Sequence, residues 1–371
     1  MVSTPSRHEI LERLRLIRTE TVGPISFRHL LRQYRTVDAA LAALPSLARR
    51  GGRKGALRIP SRADAERELN ALEALGGKMI TQDSPDYPGN LAAIPDAPPL
   101  LSLIGNQHLL HQRVIAIVGA RNASLAGCRI ASNLAQELAR VGIIVISGLA
   151  RGVDTHAHKG SLEGGTIAVM AGGVDIPYPE SNTGLYKEIA QRGALISEIP
   201  LGIHPQASHF PRRNRLIAGM SLGVAVIEAA AKSGSLITAR LAADYGREVF
   251  AVPGSPLDPR NRGCNDLLRQ GATLLESAED ILQNLASQES SRILEPKGRD
   301  FMEIPLDTPS EQVLETARIK VIEALGPTPT EVDTLIRHCL LPTPVVLTVL
   351  LELELAGRLE RHFGGRVSLL N

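Results

Sequence analysis

Residues 204–240 read HPQASHFPRRNRLIAGMSLGVAVIEAAAKSGSLITAR, and their pattern sets both the fold class and the chemistry of the chain. Within them, residues 222–228 (LGVAVIE) are short, apolar and β-branched, as in a parallel strand buried on both faces. Lys232-Ser233-Gly234-Ser235 follows and leads into a helix carrying Leu236, Ile237 and Ala239. Amides at such a helix start point above the sheet edge, and the helix dipole there favours anions. Arg212, Arg213, Arg215, Lys232 and Arg240 stand against one acid, Glu228, so the stretch is expected to meet a polyanion.

Outward from this stretch, short apolar runs alternate with helical ones from residue 114 onward. Strands are expected at 114–118, 143–147, 166–170, 194–197, 223–228, 248–252 and 272–275, with helices such as 124–141 and 235–245 between them. That rhythm predicts an α/β fold with a doubly wound, mainly parallel, Rossmann-like sheet, whose ligands sit at the carboxyl ends of the strands. Residues 77–80 read as an edge strand and 101–104 as a strand on the border of the sheet.

The chain has 371 residues, enough for two or three domains. A core of ordinary size follows from 43% hydrophobic and 22% charged residues. The net charge of +2 means that a nucleic-acid partner requires a local basic patch. Aromatics make up 3% with no Trp, so an aromatic beside arginines carries weight. Cys128, Cys264 and Cys339 follow no ligand spacing and read as reduced thiols. No apolar signal core and no membrane-spanning run occurs, and the expectation is a cytoplasmic protein.

Four segments are expected. Residues 1–75 form an N-terminal helical module, with Gly23-Pro24 punctuating two helices as in SAM- or helix-hairpin-helix-like units; a small helical bundle is the other reading. Residues 76–286 hold the Rossmann-like domain. Residues 287–312 are a Pro-containing polar linker, and 313–371 form a winged-helix-like domain of three helices and a ribbon turning at Gly364-Gly365. The run Arg49-Arg50-Gly51-Gly52-Arg53-Lys54 reads as a basic surface loop.

Four loops at the sheet edge carry the candidate chemistry. In Gly119-Ala120-Arg121-Asn122-Ala123-Ser124, Arg121 stands where a dinucleotide loop needs its second glycine, which disfavours a dinucleotide and suits a phosphate held by a guanidinium fork. Pairing of Arg121 with a neighbouring carboxylate is the alternative. Ser147-Gly148-Leu149-Ala150-Arg151-Gly152 repeats the anion-cradle composition. Asp154 after it reads as an N-cap, and His156 and His158, two residues apart on a helix, do not share a face. Gly172 to Pro179 is a rigid loop shaping the edge. His209-Phe210-Pro211-Arg212-Arg213-Asn214-Arg215 sets an aromatic against three arginines, a composition that stacks bases and holds phosphates; Phe210 in the core, with the arginines on a helix surface, is the other reading. No P-loop occurs, and neither a metal nor a cofactor is expected.

These motifs together, GARNAS (119–124), SGLARGVDTHAH (147–158), GGVDIPYP (172–179), FPRRNRLIAG (210–219), KSGSLITA (232–239) and VPGSPLDPRNRGCNDLLRQGA (252–272), resemble the DNA-processing protein A (DprA/Smf) family. The likeness covers residues 77–286 strongly, with weaker motifs at both ends. It implies a non-catalytic protein that binds single-stranded DNA, forms a homodimer through the Rossmann-like domain, protects incoming DNA and loads the RecA recombinase during natural transformation. It also implies that Arg121, Phe210, Arg213, Arg215 and Lys232 contact DNA, while Gly119, Gly148, Gly152 and Ser235 shape the pocket; Arg151, Arg212 and Ser233 complete the candidate set. One feature departs from a duplex reader: residues 342–357 (PTPVVLTVLLELELAG) hold Glu352 and Glu354 and no cation, which fits protein contact better. The alternative function is a nucleotide-processing, phosphoribohydrolase-like enzyme on the same topology, whose PGGxGTxxE stretch is absent here.

Overall fold

In the computed structural model, which describes residues 5–291, 311–362 and 364–370, the expected strands form one nine-stranded sheet. They are β1 (Lys78–Thr81), β2 (Leu100–Gly105), β3 (Val114–Gly119), β4 (Ile144–Ser147), β5 (Thr166–Val169), β6 (Ala194–Ser197), β7 (Gly223–Ile227), β8 (Glu248–Ala251) and β9 (Thr273–Leu274). Their order is β1-β2-β6-β5-β4-β3-β7-β8-β9. Every pair from β6 to β9 is parallel, while β1 and β2 pair antiparallel and β2 joins β6 antiparallel. The sheet is mainly parallel and doubly wound, as its sequence pattern predicts.

Side-chain alternation along β3 explains why both faces are covered. Val114, Ala116 and Val118 join one buried cluster and Ile115 and Ile117 the opposite one. The helices Leu125–Arg140 and Val153–Ser161 cover the second face, through Leu134, Leu138, Val153 and Ala157. The helices His209–Met220 and Ser235–Asp244 cover the first, through Leu216, Ile217, Ala239 and Leu241. From β3 the chain winds outward through β4, β5 and β6, then returns to β7 on the other side of β3. The topological switch therefore lies between β3 and β7, where a doubly wound sheet leaves a crevice at its carboxyl edge.

The described chain divides into two compact units, one running from Arg67 through the sheet, the other joining Ser6–Glu66 to the tail. In the second unit the helices Arg7–Ile17, Pro24–Tyr34 and Val37–Arg50 meet Glu311–Ala324, Val332–Cys339 and Thr343–Leu355, with a small antiparallel sheet of β10 (Thr330–Glu331), β11 (Leu359–His362) and β12 (Arg366–Leu369). The helix Thr343–Leu355 is apolar nearly all round because it is buried on two sides. Val346, Val349, Leu350 and Leu353 fill the winged-helix core. Leu351 and Leu355 sit with Leu16, Phe27, Leu30, Leu44 and Leu47 of the N-terminal helices. Among the described residues no single helix is long and apolar enough to cross a membrane. The linker expected at 287–312 falls largely outside the described residues.

Candidate nucleic-acid interface

At the carboxyl ends of β3, β4 and β5 the loops open a shallow cleft lined by Arg121, Gly148, Ala150, Arg151, Met170, Ala171, Tyr178, Pro179 and Phe210. The guanidinium carbon of Arg121 lies 4.8 Å from the centre of the Phe210 ring, a cation–π distance. Tyr178 closes the other side, its ring centre 5.8 Å from that of Phe210 at an interplanar angle of 57°. Phe210 is half-buried, while Arg121, Arg151 and Tyr178 are exposed. A guanidinium over an aromatic face, open to solvent, is a platform for a planar base with its phosphate alongside. The lining contains no carboxylate, histidine, cysteine or hydroxyl nucleophile other than the Tyr178 phenol. Among the described residues no group of three His, Cys, Asp or Glu is placed to hold a metal ion.

The loop Ser147–Gly152 is held in shape from below. Leu149 has φ +55° and Gly152 φ +77°, conformations that need fixing by their surroundings. Asp154 accepts from the Gly148 and Ala150 amides at 3.2 and 3.3 Å, and Nε2 of His158 accepts from the Leu149 amide at 3.3 Å. Asn182 donates to the Leu149 carbonyl at 2.9 Å. His158 can accept because it is neutral: burial, and then the charge of Arg213, push it down to about 3. Burial raises the Asp154 carboxyl above its ordinary range, against the pull of Arg213. Gly152 cannot be exchanged, because a Cβ there would overlap the Ala120 carbonyl. Gly119 is equally constrained, packed against the Ile227 carbonyl of β7.

The stretch 209–215, expected as a loop, is instead the first turns of the helix His209–Met220. This corrects two of the expected DNA contacts. On a helix, Phe210 and Arg213 lie one turn apart, and Arg213 and Arg215 turn towards the protein. Arg213 is 5% exposed and donates through Nη1 to the Val169 carbonyl at 2.6 Å. A Cβ on Gly148 would overlap its guanidinium, and burial lowers the group to about 10. Arg215 is 3% exposed; it pairs with Glu198, donates to the Asp96 carbonyl and stands 3.6 Å from the Asp96 carboxylate. Arg213 and Arg215 are braces under the cleft. Arg212 alone of the three is exposed.

The amino end of the helix that follows β3 is occupied by Glu228, which accepts from the Ser124 amide at 2.8 Å and from the Ser124 hydroxyl. Across the switch, Lys232 is exposed and does not line the cleft. Ser233 and Ser235 bond each other at 2.7 Å, and Asn214 donates to the Gly234 carbonyl at 3.3 Å, tying this turn to the helix His209–Met220.

Residues 78–286 match the family model described as DNA recombination-mediator protein A. The chain belongs to that family. Residues 7–71 and 305–365 match two further models, the DprA-like N-terminal HHH domain and the DprA winged helix domain. Protein Smf of Escherichia coli (strain K12) is 40% identical over 311 residues, 83% of this chain and 82% of the relative. The X-ray structure of DNA processing protein A from Streptococcus pneumoniae superposes with a TM-score of 0.65 at 33% identity, covering 76% of this chain and 98% of the other. A structure from Helicobacter pylori, described by its unique single-stranded DNA binding mode, gives 0.53 at 30% identity over 57% of this chain and 96% of that one.

In this member of the family, residue-by-residue reading missed Tyr178, Met170 and Ala150. Tyr178 had a signal: a tyrosine between two prolines in an irregular loop at a strand end, in a chain with five tyrosines. Met170 and Ala150 had none, since each is an apolar residue at a strand end.

Proposed function

We propose that this protein binds single-stranded DNA at the carboxyl edge of its sheet and acts without catalysis as a cytoplasmic recombination mediator. It would protect incoming DNA and load RecA in natural transformation, working as a homodimer through the Rossmann-like unit. The observation that carries the reading is the Arg121–Phe210–Tyr178 cluster in an open cleft rimmed by Arg151 and free of carboxylates. The family description as a recombination mediator and the single-stranded DNA binding of the Helicobacter pylori relative support it. In this proposal Arg121, Arg151, Arg212 and Lys232 hold phosphates, Phe210 stacks a base, and Gly119, Gly148, Gly152, Ser233 and Ser235 shape the backbone.

Titration of labelled single- and double-stranded oligonucleotides, beside a nucleoside-monophosphate hydrolysis assay, tests this directly. Single strands should be preferred and no hydrolysis should appear. Phe210→Ala should cost about 1–3 kcal/mol on single strands with thermal stability nearly unchanged. Early melting with normal binding by the folded variant would make Phe210 a packing residue and remove the stacking role.

A further inference from the structure

Charge is distributed unevenly along the chain. Overall, 41 Lys and Arg face 39 Asp and Glu. Between Arg7 and Arg58, twelve Lys and Arg face four acids, Glu9, Glu12, Glu20 and Asp38. Part of this excess gathers at one place. The helix Val37–Arg50 ends in a tight turn at Gly51-Gly52, where the Gly52 amide bonds the Arg49 carbonyl at 3.0 Å and the Arg53 amide the Ala48 carbonyl at 2.9 Å. Gly52 has φ +98°, and the side chain of Arg358, from the segment entering β11, lies against it and donates to the Gly51 carbonyl at 3.2 Å. The Arg58 carbonyl accepts from the Glu20 amide at 3.3 Å, while Arg53 pairs with the Glu20 carboxylate at 2.7 Å. Arg49, Arg50, Arg53, Lys54, Arg58 and Arg358 thus surround one turn. Among the described residues, Glu20 with Arg53 and Glu311, 3.3 Å from Arg50, are the acids that form ion pairs with them. Arg49, Lys54 and Arg58 are exposed.

We infer that this turn, assembled from both ends of the chain, is a second nucleic-acid site that holds the phosphate backbone of duplex DNA without reading its sequence. Five of the six cations are arginines, whose planar forks match phosphate oxygens in pairs. Residues 49–58 contain no aromatic side chain, and the nearby Tyr34, which feels the charge of Arg50, is packed against the N-terminal core, so the patch itself supplies no aromatic of its own for stacking unpaired bases or anchoring a protein partner. Duplex DNA presents the denser phosphate charge, one per about 1.7 Å of axis. Base reading is excluded at the neighbouring winged helix, whose helix Thr343–Leu355 is buried on both flanks. The Gly23-Pro24 turn between the first two helices is not where this site lies. There Glu354 approaches Gly23, accepts from the Ser26 hydroxyl at 2.5 Å and pairs with Arg361 at 2.7 Å.

The test uses the full chain with a short blunt duplex and a single strand of unrelated sequence, titrated at several salt concentrations. Arg49→Ala/Lys54→Ala removes two exposed cations without touching a core. It should flatten the duplex plot of log affinity against log salt by about 0.9 per lost contact, roughly 1.8 in all. Lys187→Ala/Arg192→Ala, an equal charge change on an exposed helix of the sheet unit, should leave the duplex slope unchanged. A wild type that fails to bind duplex at low salt, an unchanged slope in the first variant, or an equal loss in the second would each overturn the site. Arg121→Ala on the single strand is read in parallel. If it has no effect while the duplex arm behaves as expected, the sheet-edge proposal falls and the basic turn stands.

Discussion

The carboxyl edge of the large sheet and the helix Thr343–Leu355 are opposite in their electrostatics. At the sheet edge Arg121 and Arg151 stand in solvent around an open aromatic cleft. On the helix, Glu352 is 1% exposed and bonded to Arg318 at 2.7 Å, and Glu354 is committed to Ser26 and Arg361. Within the sheet edge the same contrast recurs between Arg121, exposed, and Arg215, ion-paired beneath it. A charged side chain acts on a ligand only where burial and its own partners leave it available. Position in a motif does not decide that.

The largest effect expected from this contrast falls on Arg215. Replacing it with Met leaves Glu198 and Asp96 without their shared cation, which should cost about 3–5 kcal/mol in chemical denaturation. The salt slope on single strands should stay at its wild-type value. A flattened slope in a variant of normal stability would return Arg215 to the DNA surface.

Leu355→Ala comes next, at about 2–5 kcal/mol, because the side chain is fully buried. Its partners are N-terminal, so hydrogen exchange should speed up in the helix Pro24–Tyr34 as well as in the tail. Exchange that quickens in the tail alone would mean that the two ends of the chain do not share a core in solution. The same contact bears on truncation: removing the tail after residue 312 strips Leu351 and Leu355 from the N-terminal core.

A smaller effect concerns acid. The folded value of His158, about 3, lies below its ordinary 6.5, so the unfolded chain takes up the proton first as pH falls. Stability should therefore be unaffected above about pH 6.5 and decline below it, by about 1.4 kcal/mol near one unit lower. His29 in the other unit, lowered to about 4 chiefly by burial, adds a decline of the same sign. Denaturation of His158→Gln across this range should lack the first share. A profile identical to wild type would mean that His158 takes up its proton as readily in the folded protein as in the unfolded chain.

What the sequence could disclose follows from how local each feature is. Strands β3 to β8 were legible because a strand buried on both faces is a continuous apolar run. The family motifs were legible because they are contiguous. The helical start at His209 was obscured by Pro211 and the arginine run, which read as a loop. The fates of Arg213 and Arg215 depend on Val169, Glu198 and Asp96, which lie 44, 17 and 119 residues away in the chain. Glu228 fills a helix end 104 residues from it, and Glu354 meets Ser26 across 328 residues. Such pairings follow from the packing of distant segments, to which local periodicity carries no reference.

The most direct measurement is the salt dependence of single-strand binding by Arg121→Ala beside the wild type. Arg121 is exposed, set over Phe210 and outside the core, so its loss should leave melting unchanged. The plot of log affinity against log salt should flatten by about 0.7, the share of one phosphate contact on a single strand. An unchanged slope, with the variant folded and binding as tightly as wild type, would contradict single-strand binding at this sheet edge.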